Sequence, residues 1–502
     1  MPDTIQGWRS KTKSKAENMQ EATKRLAQDK GYEIPMVDLV IQFIGANGLP
    51  KMDVVGSADP YFIAKLDDHC HFVSTVISDT LGPVWNETWR VKNVPSTATL
   101  SVRVMDKDND APTDDYIGKF ETSVTAGAKE VEILGPILKR TRGHFWLKIE
   151  STKSGPDAKK YPYLFDGPIR YSRHFSPTVG HLTSINDARL YSTWKVYIKG
   201  IPLFFGDKVQ PWNKDYKAAQ SIFKGPGSIF VRAGIQAGHR MLYARTTHNG
   251  FGVIHEKTDV MKLLTGAVRK GDGTLVEGPH RVKPAVYTYI ISSEDDSFRF
   301  SETGAAFFVD FASKHALHSN CAEAVRYSGE FHPRPKGGWE NFADNTPDDQ
   351  VEWELVIDNN SGTYSPDKGM LPQVKKLLEY NFPEFTIFAL DHADPDLDKS
   401  TAATRAYAKE KRGIKEDEFQ PHTAEGEVTL SHMGSQLGSQ VKHFAQTAGE
   451  DVKQQLQVDA RALIHPHDKA EQKHPEPPTE DAPQMPQVGV NGAKDISSNP
   501  VA

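Results

Sequence analysis

Cysteine is nearly absent from this chain of 502 residues: Cys70 and Cys321 are the only two. That excludes a disulfide framework and fits a reducing, cytoplasmic compartment. Long apolar runs are missing as well. No stretch approaches the roughly 18 apolar residues a membrane-crossing helix needs, and the longest, such as AVYTYII (Ala285–Ile291), have the length of a strand. The opening MPDTIQGWRSKTKSK has no apolar core of the kind a secretory signal requires. Any membrane contact is therefore expected to be peripheral. Basic residues are not in excess either. The formal net charge is −6, which argues against nucleic acid as a partner, because a binder needs a basic face to neutralise phosphates. The chain also lacks a GxSxG elbow, an HExxH helix, a Walker loop and a dinucleotide fingerprint.

What is present reads as several units, since this length exceeds one ordinary core. Residues 1–35 are polar, with a helix-compatible stretch from Lys15 to Asp29 closed by Gly31. Residues 36–151 run as short alternating strands divided by turn residues. VDLVIQF, DPYFIAKL, TLSVRVMD and GHFWLKIE are examples, and such a series predicts an all-β sandwich of eight antiparallel strands. Residues 152–165 read as a linker. Residues 166–398 read as an α+β domain in which STWKVYI, SIFVRAG, AVYTYII, SFRFSE, AAFFVDFA, VEWELVID and FTIFALD are expected strands. Within it MLPQVKKLLEYNF (Met370–Phe382) is an expected amphipathic helix, with Leu371, Val374, Leu377 and Leu378 on one stripe. Residues 399–464 form a helical segment, with apolar residues at helical spacing from Glu427 to Ile464. Residues 465–502, rich in Pro, Glu and Gln, are an expected disordered tail. The expected fold class is thus multidomain.

The chemistry concentrates in two loops of the sandwich. GLPKMDVVGSADPYF (Gly48–Phe62) carries Asp53 and Asp59, and VMDKDNDAPTDDYIG (Val104–Gly118) carries Asp106, Asp108 and Asp115. Asp106 and Asp108 are two apart at the end of a strand, so in extended backbone both side chains point the same way. Asp53 and Asp59 straddle a step containing Gly56, which lets the loop curl back. So many carboxylates repel one another unless a cation lies among them. Calcium, a hard ion taking 6–8 oxygen ligands, is the natural candidate.

These segments, together with TLGPVWNETW (Thr80–Trp89), resemble the signature of the C2 domain family, over about 115 residues. The resemblance implies a calcium-dependent phospholipid-binding module in which Asp53, Asp59, Asp106, Asp108 and Asp115 are the metal ligands and Ca2+ is the cofactor. The step from Asp108 to the last acid is one residue longer than is common, which leaves open Asp114 in place of Asp115 and a water-mediated role for Asp110. About five negative charges at the tip repel an anionic membrane until calcium returns most of that charge, so peripheral binding is expected when calcium is bound. Met52, Val54 and Val55 are expected to dip into the headgroups. The family's second lipid surface matches IAKLDDHCHFVSTVIS, where Lys65, His69 and His71 are offset by Asp67 and Asp68, a poor polybasic patch.

The α+β unit carries weaker signals. In SKHALHSNCAE (Ser313–Glu323), His315, His318 and Cys321 recur every three residues with Glu323 nearby. On a helix they would share a face and suit a metal, but on a strand they would not. The run Asn320-Cys321 to Arg326 does not match a phosphatase loop. VIDNNSGTYSPDKG (Val356–Gly369) reads as a strand-to-helix connection, and HNGFG (His248–Gly252) and FKGPGS (Phe223–Ser228) read as turns. Two functions follow. One is a calcium-dependent binder of anionic phospholipid membranes whose α+β unit meets a protein partner. The other is a lipid-acting enzyme, a phospholipase or lipid phosphatase, with its catalytic site in 166–398.

Overall fold

The structure, a computed structural model, describes residues 34–412 apart from 53–56, 68, 108–113, 137–139, 177–190, 244–249, 266–267, 270–274, 277–281, 304–312, 344–345 and 347–349. The helices expected within 1–35 and 427–464, the tail from 465 and the expected strand AAFFVDFA lie outside the described residues.

The alternation of VDLVIQF becomes β1 (Met36–Asn47), which turns Leu39, Ile41 and Phe43 inward. Seven further strands follow: β2 (Pro60–Leu66), β3 (Cys70–Val73), β4 (Val84–Pro95), β5 (Thr99–Asp106), β6 (Asp115–Ser123), β7 (Gly127–Leu134) and β8 (Thr141–Lys153). Their order is β3-β2-β5-β6-β7-β8-β1-β4, and every pairing is antiparallel. The inward side chains meet as an aromatic cluster. Phe62 touches Phe43, Trp85 and Phe145 at ring-centroid distances of 4.6, 4.9 and 5.3 Å, in the tilted and edge-on arrangements that aromatic quadrupoles favour. Gly118 closes the second acidic loop because β7 passes close by: a Cβ there would sit 2.7 Å from the Leu134 carbonyl oxygen.

The segment 152–165, expected to be a linker, is tied to the sandwich instead. Ala158 and Leu164 are buried, and β9 (Leu164–Gly167) adds a ninth strand beside β4. Asn93 explains much of this, since its Nδ2 donates to the Tyr161 carbonyl at 2.7 Å and its own carbonyl accepts from the Tyr163 amide at 3.1 Å. Lys92 and Asp166 pair at 3.1 Å. The four residues of β9 carry no alternation of their own that marks a strand.

The α+β unit is built on an eight-stranded sheet. Its strands are β10 (Arg170–Ser176), β11 (Tyr191–Tyr197), β12 (Gly250–Val253), β13 (Tyr287–Ile291), β14 (Ser297–Glu302), β15 (Tyr327–Pro335), β16 (Trp353–Ile357) and β17 (Thr386–Ala389). They lie in the order β12-β10-β11-β14-β13-β15-β16-β17, antiparallel except for β16 and β17. The helices are α1 (Ile201–Phe205), α2 (Lys217–Phe223), α3 (Ser228–Leu242), α4 (Lys257–Leu263), α5 (Lys314–His318), α6 (Leu371–Asn381) and α7 (Pro395–Arg412). Helix α6 bridges the parallel pair and buries Leu371, Val374, Leu377 and Leu378, as the stripe predicted. SIFVRAG is a correction: it opens helix α3 rather than a strand. Its local β-branched run is outweighed by burial at helical spacing, with Ile235 and Leu242 at 0% and 1% exposure.

Period two in this sheet separates two unlike faces. Trp194, Tyr287, Tyr289, Phe298, Phe300 and Phe331 line one side, with an apolar core beneath α4 and α6. The opposite side is polar yet buried. Thr193, Ser301, Thr288 and Glu330 stand side by side across four strands, and the first three are 0–2% exposed.

Candidate functional site

The pairing of three neighbouring strands brings the described acidic residues together. In register, Pro60 of β2 lies opposite Asp106 of β5, and Asp106 lies opposite Asp115 of β6. Asp59, one residue before Pro60, thus joins Asp106 and Asp115 at one end of the sandwich. Backbone bonds orient the pair. The Asp59 amide donates to Asp106 Oδ1 at 2.5 Å, and the Lys107 amide donates to the Asp59 carbonyl at 3.0 Å. Asp106 is 2% exposed, so its carboxylate is held rather than waving in solvent. Asp53 and Asp108 lie outside the described residues, as does Asp110.

Asp79 is a member of this loop system that the sequence did not single out. With φ of +52°, it accepts the Ser57 amide on Oδ1 at 2.9 Å and donates its own amide to Asp59 Oδ1 at 2.8 Å. It thereby fixes both the first acidic loop and the Asp59 carboxylate. Only its position among turn residues in VISDTLGP hinted at this. Asp114, left open as an alternative to Asp115, is engaged elsewhere: Lys107 Nζ donates to its Oδ1 and Tyr61 donates to its Oδ2 at 2.5 Å. Met52 also departs from expectation, since it packs against the sandwich core rather than standing out at the tip. Val54 and Val55 are outside the described residues.

As a donor set, Asp59, Asp106 and Asp115 offer only hard carboxylate oxygens on three adjacent strand ends, the ligand type calcium takes. No group of three or more metal-ligating side chains is found among the described residues. Asp59, Asp106 and Asp115 by themselves thus do not form such a group, and Asp53 and Asp108, the other two expected ligands, lie outside the described residues.

The second lipid surface expected of the family is partly covered by this chain's own residues. His69 stacks on Tyr163 with ring centroids 4.5 Å apart, and Tyr163 donates to Asp67 Oδ2 at 2.7 Å. Arg170 of the α+β unit reaches back onto the sandwich. Its guanidinium lies 3.9 Å over the Phe72 ring, donates to the Val73 carbonyl at 2.8 Å and pairs with Glu87. A cavity of about 170 Å³ remains between the sandwich and the α+β unit, lined by His69, Cys70, Trp89, Tyr163, Asp296 and Arg326 among others.

In the histidine cluster of Ser313–Glu323 only Lys314–His318 is helical, Cys321 follows in a turn at φ +57°, and the donors are already taken. His315 Nε2 meets the Gly329 carbonyl at 3.1 Å. His318 contacts Tyr243 OH and Ser301 Oγ at 2.7 Å each. Cys321 sits in an apolar cluster with Ile222, Ile235 and Leu317. Burial lowers the His315 pKa to about 4 and that of His318 well below its ordinary value, while it pushes the Cys321 thiol up to about 12. The two imidazoles are thus held neutral and the thiol protonated at neutral pH.

On the polar face, half-buried Glu330 and buried Asp358 form a carboxyl pair. Asp358 Oδ1 accepts the amides of Glu330 and Asn360 at 2.8 Å each. Asn360 Nδ2 and Thr303 Oγ1 donate to the two Glu330 oxygens at 2.8 and 3.1 Å. Burial first, and the Glu330 charge second, raise the Asp358 pKa to about 8. Burial also raises that of Glu330. Sequence reading passed over this pair because its members are 28 residues apart. On the same face, burial pushes the Asp295 carboxyl up, but Lys195 and Arg299 hold it well below the usual range.

The family model described as "C2 domain" matches residues 37–138. Among curated proteins, the chain is 37% identical over 81 residues to Ras GTPase-activating protein 4 of Mus musculus, covering 16% of this chain and 10% of that protein. It is 31% identical over 126 residues to Multiple C2 domain and transmembrane region protein 8 of Arabidopsis thaliana, covering 24% and 12%. The chain thus spans about a tenth of the length of these relatives. Among solved structures, a C2 domain of plant Extended Synaptotagmin 1 aligns over 24% of this chain and 99% of that one, at 22% identity and a TM-score of 0.22. With the strand order described above, the family match establishes that this chain carries a C2 domain at residues 37–138.

Proposed function

We propose that this protein binds anionic phospholipid membranes peripherally through its C2 domain, in a calcium-dependent manner, and so brings its α+β unit to the membrane surface. Asp53, Asp59, Asp106, Asp108 and Asp115 are the proposed ligands. The observation that carries this reading is the register that sets Asp59, Asp106 and Asp115 on adjacent strand ends, with the Asp59 amide donating to the Asp106 carboxylate. Bound calcium supplies positive charge and coordination positions for lipid oxygens. The chain's own part is to hold the carboxylates together, while Lys107 pairs with Asp114. Val84, which is 62% exposed and opens β4 opposite Gly45 of β1, offers an apolar contact in place of the half-buried Met52. No helix among the described residues is long and apolar enough to cross a membrane, which is consistent with attachment at the surface. The α+β unit is proposed to meet a protein partner.

Vesicle sedimentation at physiological salt tests this. Calcium should increase binding to phosphatidylserine-containing vesicles at least tenfold over chelator. The double substitution Asp106→Asn and Asp108→Asn should remove that increase while leaving the fold intact. An unchanged calcium response in the variant would refute the site, and equal wild-type binding with and without calcium would refute the switch.

A further inference from the structure

Helices α2 and α3 form a hairpin whose inner side belongs to a small separate core. Ile222, Ile235 and Leu242 pack there with Ala316, Leu317 and Cys321. The outer side is unusual for this acidic protein. From Lys208 to Arg232 there are five basic residues, Lys208, Lys214, Lys217, Lys224 and Arg232, against one acid, Asp215. Lys214, Lys217 and Lys224 are exposed. The contacts of Lys214 and Lys224 are not with carboxylates: their ammonium groups lie 6.0 and 5.2 Å from the ring of Trp212, which stacks on Phe223 at 5.2 Å.

The same stretch of chain also exposes apolar side chains. Ile229 is 70% exposed at the start of α3, and Val209 and Tyr216 are 42% and 39% exposed. Between the helices the turn Lys224–Gly227 is exposed throughout, with Gly225 at φ +81°. Single exposed apolar residues need no explanation. Lysines without carboxylate partners among the described residues, an aromatic platform and a protruding isoleucine on one short hairpin are a different matter. That combination suits the boundary between lipid headgroups and acyl chains, where cations meet phosphate, Trp lies flat and an aliphatic side chain enters the hydrocarbon.

We infer that the outer side of the α2–α3 hairpin is a second membrane contact, independent of calcium and selective for anionic lipid. It rests on the membrane reading above but not on the aspartates of the C2 loops. The charge argues for lipid over a protein groove: Lys214, Lys217 and Lys224 are all exposed, each on a different stretch of the hairpin, as a diffuse anionic surface requires.

Full-length protein in chelator at low ionic strength should bind phosphatidylserine-containing vesicles and not pure phosphatidylcholine vesicles, and added salt should release it. Replacing Lys214, Lys217 and Lys224 together by Gln should weaken this binding on the order of 100-fold, from a factor of roughly five for each cation near the surface. Ile229→Ser should weaken it less, and the change should persist at higher salt. All these side chains are exposed, and matching thermal unfolding of variant and wild type confirms the fold. Wild-type affinity in the triple variant would overturn the inference. So would tighter binding of the wild type to polyglutamate or single-stranded RNA than to the anionic vesicles, with the same lysine dependence. Either result leaves the calcium response of the C2 loops untouched. Conversely, Asp106→Asn should leave the chelator-stage binding in place, so failure of the calcium site and failure of the hairpin are separately visible.

Discussion

Arg170→Ala is expected to destabilise the protein by about 3–5 kcal/mol, the loss typical when one member of a buried ion pair is removed. The Arg170 and Glu87 side chains are only 11% and 13% exposed. Truncation would remove the pair, the stacking on Phe72 and the bond to the Val73 carbonyl together. Glu87 would remain in place, because its Oε1 still accepts the Thr75 amide and hydroxyl at 2.7 Å each, but its charge would be buried without a cation. The double substitution Arg170→Met with Glu87→Gln should therefore lose distinctly less than Arg170→Ala alone. Denaturant unfolding reads the stabilities, and limited proteolysis between residues 153 and 170 reads the loosening of the seam. If Arg170→Ala unfolds within about 1 kcal/mol of wild type, the seam between the sandwich and the α+β unit does not depend on this pair.

Asp358→Asn is expected to stabilise the protein at pH 8 on the order of 2 kcal/mol, with a gain that shrinks as the pH falls. Burial and Glu330 raise the folded-state pKa of Asp358 to about 8 from an ordinary 3.8. Between those values the native state keeps a proton that the unfolded chain releases, so stability falls as pH rises through the window. Below the ordinary carboxylate range the penalty is absent, and above about pH 8 it is complete. Asparagine retains the Oδ1 acceptor for the amides of Glu330 and Asn360 and cannot ionise. Melting temperatures of wild type and variant from pH 5 to pH 9 should diverge steadily. A constant offset, or a variant less stable at pH 8, would contradict this account of the pair.

Much of the C2 domain was legible in advance because each of its strands carries its own period-two pattern. Leu39, Ile41 and Phe43, then Leu100, Val102 and Val104, alternate without help from distant residues, and they are buried. The acidic loops were legible for the same reason: Asp106 ends such a strand and Asp115 begins the next. The ninth strand was not legible, since Leu164–Gly167 is held by β4 and Asn93 rather than by any pattern of its own. Helix α3 was misread because SIFVRAG looks like a strand until the burial of Ile235 and Leu242 beyond it is counted.

The sequence alone determined that residues 36–151 form a C2 sandwich with carboxylates on two of its loops, and that the α6 stripe is a helix. These depend on spacing within one segment. Tertiary structure decided which carboxylates meet. It gave Asp79 to Asp59, Asp114 to Lys107, and Met52 to the core. It also set Tyr163 on His69 and Arg170 on Phe72 and Glu87, and turned His315, His318 and Cys321 from possible metal ligands into buried packing. Each of those outcomes depends on a partner many residues away, and chain separation carries no local signal of which neighbours folding will bring within hydrogen-bonding distance.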